Sequence, residues 1–123
     1  MNIKIKVVGY NGFSKEIDLT DKQIEFRNMV DMFGQDQLQL CTKDDTALLL
    51  GIYNQLAECV TTSDRMLTVK SAVLEVDNEE VLFFNEPVML YEVSIRKGKP
   101  RAMIEFFHLR EHIIGKKKRR AHQ

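Results

Sequence analysis

Apolar and polar residues alternate from the start of the chain. Ile3, Ile5 and Val7 are set between Asn2, Lys4 and Lys6, and Ile17 and Leu19 are set between Glu16 and Asp18. A period of two is the mark of a strand with one buried face, so these runs and the loop Gly9–Phe13 predict a β-hairpin. Placing Val8 opposite Ser14 sets Ile5 against Ile17 and Ile3 against Leu19 on one face. The same register sets Lys6 against Glu16 and Lys4 against Asp18 on the other. Both lysines then have partners of their own and are poor candidates for a binding site.

The period changes after Thr20. Thr20 and Gln23 fit a T-x-x-Q capping box, and Phe26, Met29, Val30 and Phe33 follow at i, i+3, i+4 and i+7, with Gly34 as a stop. This predicts a core-facing helix. Leu38 and Leu40 suggest a short extended piece. A second helix is predicted from Thr42, presenting Leu49, Ile52, Tyr53, Leu56 and Val60, with Gly51 read as a close packing contact. The hairpin-then-helix opening is similar to the start of β-grasp folds, but the second helix and the later strands do not extend that resemblance.

Strands return from Met66. Leu67 and Val69 have one parity and Leu74 and Val76 the other, which predicts a break or bulge near Ser71. Asp77–Glu80 reads as a turn and Val81–Phe84 as a strand. Beyond Pro87, Met89, Tyr91, Val93 and Ile95 alternate with Leu90, Glu92, Ser94 and Arg96 up to the turn Lys97–Pro100. Residues 101–114 place Ala102, Met103, Phe106, Phe107, Leu109, Ile113 and Ile114 on one helical arc, with Ile104 and Arg110 off it. Pro100 before the run and Gly115 after it favour a helix. The expected fold is thus one α+β domain over residues 1–115. In it an antiparallel sheet, made of the hairpin and a later three-strand meander, packs on two to three helices. Residues 116–123 are expected to form a disordered basic tail.

At 123 residues, with 44% apolar and 29% charged side chains, the composition is that of a globular domain and not of a disordered chain. No apolar run approaches the ~18 residues of a membrane span, and MNIKIKVV lacks the uninterrupted apolar stretch of a signal peptide. The chain is therefore expected in the cytoplasm, without a membrane partner. Cys41 and Cys59, near opposite ends of the predicted second helix, are too far apart for a disulfide and read as free thiols. Cys41, close to a helix N-terminus, could have a lowered pKa, although a small apolar packing role is the better expectation.

Charge changes the picture most. Residues 96–123 hold ten Lys or Arg against two acids, a net of +8, while residues 1–95 hold eight against sixteen, a net of −8. The formal neutrality is a cancellation between two poles. The cations fall into two clusters: Arg96, Lys97, Lys99 and Arg101 around one turn, and Lys116, Lys117, Lys118, Arg119 and Arg120 in the tail. Such clusters suit phosphates or acidic protein surfaces.

Catalytic chemistry finds little support. His108-Leu109-Arg110-Glu111-His112 matches the H-x-x-E-H pattern of the inverted-zincin metalloproteases, in which similarity implies a further acidic ligand downstream. Nothing acidic follows Glu111, and a helical wheel sets both histidines on the polar arc. His108 and His112 are therefore weak metal candidates, and no catalytic residue and no cofactor is assigned. Tyr10 and Phe13 could stack on bases, but packing over the core is the better expectation for them. The leading expectation is a non-enzymatic accessory protein contacting DNA or RNA, or a nucleoprotein, through the two basic clusters, largely without sequence preference. The alternative is a protein-binding inhibitor or adaptor, of a kind phages and mobile elements encode. It would act by self-association, as a homo-oligomer, or by capture of an acidic protein surface.

Overall fold

The N-terminal alternation folds in the register it implies. β1 (Ile3–Val8) and β2 (Ser14–Asp18) pair antiparallel with Ile5 opposite Ile17, Lys6 opposite Glu16, Lys4 opposite Asp18 and Val8 opposite Ser14. The Leu19 N–H donates to the Ile3 carbonyl at 2.8 Å, which extends the pairing by one step. The computed structural model describes residues 1–30, 34–42, 45–63 and 66–108.

Most of the described residues are in strands. β7 (Ser71–Val76) pairs with β1, and β8 (Glu79–Asn85) with β7, giving a four-stranded antiparallel sheet in the order β2-β1-β7-β8. A second sheet runs β3 (Glu25–Val30), β4 (Asp36–Thr42), β10 (Lys99–Phe107), β9 (Val88–Arg96), β6 (Met66–Thr68), β5 (Thr61–Ser63). Between them lies α1 (Thr46–Leu56), which continues into a 3-10 turn at Ala57–Cys59. Alternate residues of both sheets and one stripe of the helix meet in a single buried cluster. Ile5, Val7, Ile17, Leu74 and Phe84 come from the first sheet, Leu38, Leu40, Met89, Ile104 and Phe106 from the second, and Leu49, Ile52 and Leu56 from α1.

The architecture therefore corrects the expectation of one sheet on two to three helices: there are two antiparallel sheets and one α-helix among the described residues. Residues 20–30 do not form a helix. Thr20 is not an N-cap; its hydroxyl accepts from the Ile3 N–H at 2.9 Å and so ties off the hairpin. Asp21 turns the chain at φ 59°, and Glu25–Val30 becomes an edge strand on β4, with Phe26 opposite Leu40. The hairpin is followed by a strand, which removes the likeness to a β-grasp opening. Phe33 lies outside the described residues.

The expected helix over 101–114 is also corrected, as far as it is described. Lys99–Phe107 is a strand, hydrogen-bonded between β9 and β4. Residues 109–114 and the tail 116–123 lie outside the described residues. The later strands do not form one meander, because β8 belongs to one sheet and β9 to the other. The parity break does occur near Ser71, between β6 and β7.

The second helix forms, but its cap is Asp45 and not Thr42. The Asp45 carboxylate accepts from the Leu48 N–H at 3.0 Å, and Thr42 ends β4. Gly51 makes no close contact: a Cβ there would meet nothing within 4 Å. Gly9 is the reverse case, since a Cβ there would lie 2.3 Å from the Cys59 carbonyl oxygen. The first hairpin loop thus sits against the 3-10 turn by virtue of a missing side chain. Gly51→Ala should raise unfolding stability by about 0.5–1 kcal/mol through helix propensity. Gly9→Ala should lower it by more than that, because backbone must move. Urea unfolding of the two variants beside the parent chain checks both signs.

Candidate functional site

The turn-borne basic cluster sits at the end of a two-stranded ribbon. β9 and β10 pair from Val88↔Phe107 to Arg96↔Lys99, while β4 reaches along β10 only from Phe106 to Ala102. Beyond that point β10 has no partner but β9 among the described strands. Lys97 and Gly98 make the turn, at φ 52° and 77°, the positive values that a two-residue hairpin turn requires. Glycine meets this demand without strain, and lysine does so at a modest steric cost.

Register sorts the ribbon into two faces. Position 96 lies opposite Lys99 and Ser94 opposite Arg101, so the cationic positions 96, 99 and 101 share one face. Val93 opposite Ala102 and Ile95 opposite Pro100 make up the other face. Val93 is 54% exposed and Ile95 73% exposed. Lys97 and Lys99 are exposed and Arg101 is half-buried. From 93 to 104 the sequence contains four cations and no acid.

The body's cations are arranged differently. Lys4 Nζ lies 3.1 Å from Glu16, Lys6 Nζ lies 3.1 Å from Glu75, Lys15 pairs with Glu58, and Arg27 Nε lies 3.2 Å from Glu25. Hydrogen bonding to these carboxylates raises the pKa of Lys6, Lys15 and Arg27. The two hairpin lysines do have local partners, though Lys4 takes the diagonal Glu16 and Lys6 reaches β7 for Glu75. Among the described residues no carboxylate lies within ion-pairing distance of Lys97, Lys99 or Arg101.

On the same face as the ribbon cations, a groove of about 270 Å³ runs across the second sheet. It is lined by Arg27, Gln39, Cys41, Glu92, Arg101 and Met103, among others. Beside it Glu105 is only 8% exposed, and its two oxygens accept from Gln37 Nε2 and Gln39 Nε2, each at 3.0 Å. Pairing a buried carboxylate with two amide donors satisfies it without a countercharge. Cys41 lies on β4, not at a helix N-terminus, and desolvation raises its pKa. Its thiol stays protonated at neutral pH and is a poor nucleophile. Cys59 is fully buried, its Sγ 3.8 Å from the Val7 carbonyl oxygen.

His108 follows a strand. Its Nε2 is 2.8 Å from the Asn85 carbonyl oxygen, so this nitrogen donates, and its lone pair is not available to a metal. Glu111 and His112 lie outside the described residues, as do Lys116, Lys117, Lys118, Arg119 and Arg120. No group of three or more potential ligands that could hold a metal ion occurs among the described residues. The two-faced ribbon was not anticipated; the alternation of 93 and 95 with 94 and 96 was its only sign in the sequence.

Tyr10, in the first hairpin loop, is tied down. Its hydroxyl donates to the Glu86 carboxylate, and desolvation followed by this bond pushes its pKa up to about 12. A phenol anchored to an acid is ill placed to stack on an anionic strand. Phe13 is exposed. No protein-family model, curated protein or solved structure matches this chain.

Because the folded-state phenol pKa lies above the ordinary value near 10, its contribution to stability is complete below about pH 10 and is lost as pH rises through about 12. Spectrophotometric titration should show one of the three tyrosines ionising late. Glu86→Gln should move that titration down.

Proposed function

We propose that this is a small non-enzymatic accessory protein that contacts nucleic acid, alone or in a nucleoprotein, largely without regard to sequence. Contact runs through Arg96, Lys97, Lys99 and Arg101 on the ribbon, together with Lys116–Arg120. The observation that carries the reading is a clustering of unpaired cations: Lys4, Lys6, Lys15 and Arg27 of the body are held by carboxylates, whereas Lys97, Lys99 and Arg101 gather on one hairpin with none within reach among the described residues. Lys22 and Lys70 also lack an ion pair but stand singly in the sequence. Lys99 and Arg101, two residues apart on one strand face, lie ~7 Å apart, which corresponds to about two of the 3.4 Å axial rises per nucleotide of a duplex strand. Binding of this kind releases counterions, so it weakens steeply with salt and positions the ligand without reading bases.

Two free thiols and the lack, among the described residues, of any helix long and apolar enough to cross a membrane support a cytoplasmic setting. A second reading is capture of an acidic protein surface by the same cations. The exposed apolar face beside them favours it, because phosphates make no use of Val93 or Ile95.

Fluorescence anisotropy with a labelled duplex of about 20 base pairs and a single-stranded RNA, across a salt series, tests the proposal. The parent chain should bind both at low salt. Lys97→Ala/Lys99→Ala/Arg101→Ala and truncation after Gly115 should each weaken binding and flatten the slope of log K against log salt. For each phosphate no longer engaged, the slope should fall by about 0.9 on the duplex and ~0.7 on the single strand. Absence of binding at low salt, or slopes unchanged in both variants, overturns it. Affinity for polyglutamate without affinity for either nucleic acid would select the second reading.

A further inference from the structure

β9 is a nine-residue strand with one side almost unpaired among the described residues. Along β10 it is paired from end to end, but on its other side β6 meets it only at Val88, opposite Thr68. From Met89 onward no described strand covers that edge. An open edge with apolar neighbours invites another strand, and proteins usually blunt such edges with charge, proline or a bulge. Two other edges carry such devices beside exposed apolar residues of their own, Val81 and Phe83 on β8 and Met29 and Val30 on β3. β8 begins Glu79-Glu80 and carries a register shift against β7 at Leu74/Glu75, and β3 carries the Glu25–Arg27 ion pair. β9 instead presents Val93 and Ile95, the latter the most exposed large apolar side chain among the described residues after Met1.

We propose that this edge pairs with the same edge of a second copy of the chain, antiparallel, about a two-fold axis through Ser94. Pairing of this type keeps inner faces on one side of the joined sheet and outer faces on the other. Residues directly opposite must then share parity, which excludes one-residue shifts. With Ser94 on the axis, Val93 lies opposite Ile95 of the second copy and Ile95 opposite its Val93. Position 92, a glutamate, lies opposite position 96 of the second copy, an arginine, and the reverse pair follows by symmetry. Two apolar and two opposite-charge cross-strand pairs are thus made at once.

Neighbouring registers lose this match. With Val93 on the axis, Glu92 faces Ser94 and Arg96 faces Leu90. With Ile95 on the axis, Val93 faces Lys97 and Glu92 faces Gly98. The Val93 register keeps apolar pairs, Val93 with itself and Tyr91 with Ile95, so it is the complementarity of charge that selects both the occupant and its register. The proposal is independent of the nucleic-acid reading, since it concerns the protein alone.

Sedimentation of the full chain from about 10 to 500 µM, without nucleic acid, should show a concentration-dependent shift towards twice the 14.3 kDa mass. Glu92→Arg opposes cations at both charge pairs and should weaken the dimer about tenfold or more. Arg96→Glu should do the same, and the two substitutions together should restore association. Far-ultraviolet circular dichroism shows that each variant keeps its strand content. In a Cys41→Ser background, Ser94→Cys should crosslink between chains under mild oxidation, because only a residue on the axis meets itself. Leu90→Cys should not crosslink. A monomer throughout the range overturns the proposal. So does a dimer indifferent to Glu92→Arg, or one that crosslinks through position 90 as fast as through 94. Mixed association only with a different protein would assign the edge to another partner and overturn it equally.

Discussion

Phe84 and Phe106 meet with ring centroids 6.3 Å apart at an interplanar angle of 32°. Phe84 belongs to the four-stranded sheet and Phe106 to the six-stranded one, so this contact joins two layers that share no strand pairing. Both rings are essentially buried. Aromatic pairs of this geometry contribute ~0.5–1.5 kcal/mol beyond the area they remove from water. Phe106 lies opposite Met89 on β9 and opposite Leu38 on β4, and Tyr91, two residues further along β9, stacks on Tyr53 of α1 at 4.7 Å. The first half of β9 is thereby gripped between helix and sheet. The second half leaves the core with its alternation intact but, among the described residues, with little to pack against, and that is how the ribbon comes to expose an apolar face.

The short range of each sequence signal explains what could be read from it. The first hairpin was legible, register included, because its two strands are neighbours in sequence and each has one apolar and one charged face. The helix was legible because Leu49, Ile52 and Leu56 repeat at helical spacing and all three are buried. Residues 101–107 misled because an apolar run of this length satisfies two periods. Ile104, which fits the helical arc badly, is an inward residue of β10, flanked by Ala102 and Phe106. That single misfit was the strand signal. Phe26, Met29 and Val30 misled for another reason: as an edge strand on β4 they have little to cover, and Met29 and Val30 are exposed. Strand pairing decided both segments: Glu25–Val30 adds to the neighbouring β4, and β10 is held between β9 and β4, the latter far away in sequence.

Of the candidate site, the cations at 96–101 and their turn were legible, and their separation onto one face of a ribbon was not. The assignment of Cys41 to a helix N-terminus failed with the helix boundary: moving the cap from Thr42 to Asp45 leaves Cys41 on a strand, where burial is the largest influence and raises its pKa. Of the histidine motif only His108 is among the described residues, and it follows a strand. The strand delivers His108 to the Asn85 carbonyl.

The two faces of the ribbon bear on each other through position 96. Pairing of β9 edges about Ser94 keeps both cationic faces on the same side of the joined sheet, which would double the positive surface offered to a phosphate backbone. It also sets Glu92 of each copy against position 96 of the other, so that cation is engaged within the dimer. Lys97, Lys99 and Arg101 stay available, and they come in two sets. Because the body carries −8 and charges are screened over ~10 Å at 0.1 M salt, a ligand reaches these cations best where they stand clear of the acidic surface. Lys97 and Lys99 are exposed at the turn, whereas Arg101 shares the groove with Glu25 and Glu92. Self-association and phosphate contact therefore compete for one residue and cooperate through the other three, so pairing of the edges would strengthen nucleic-acid contact overall.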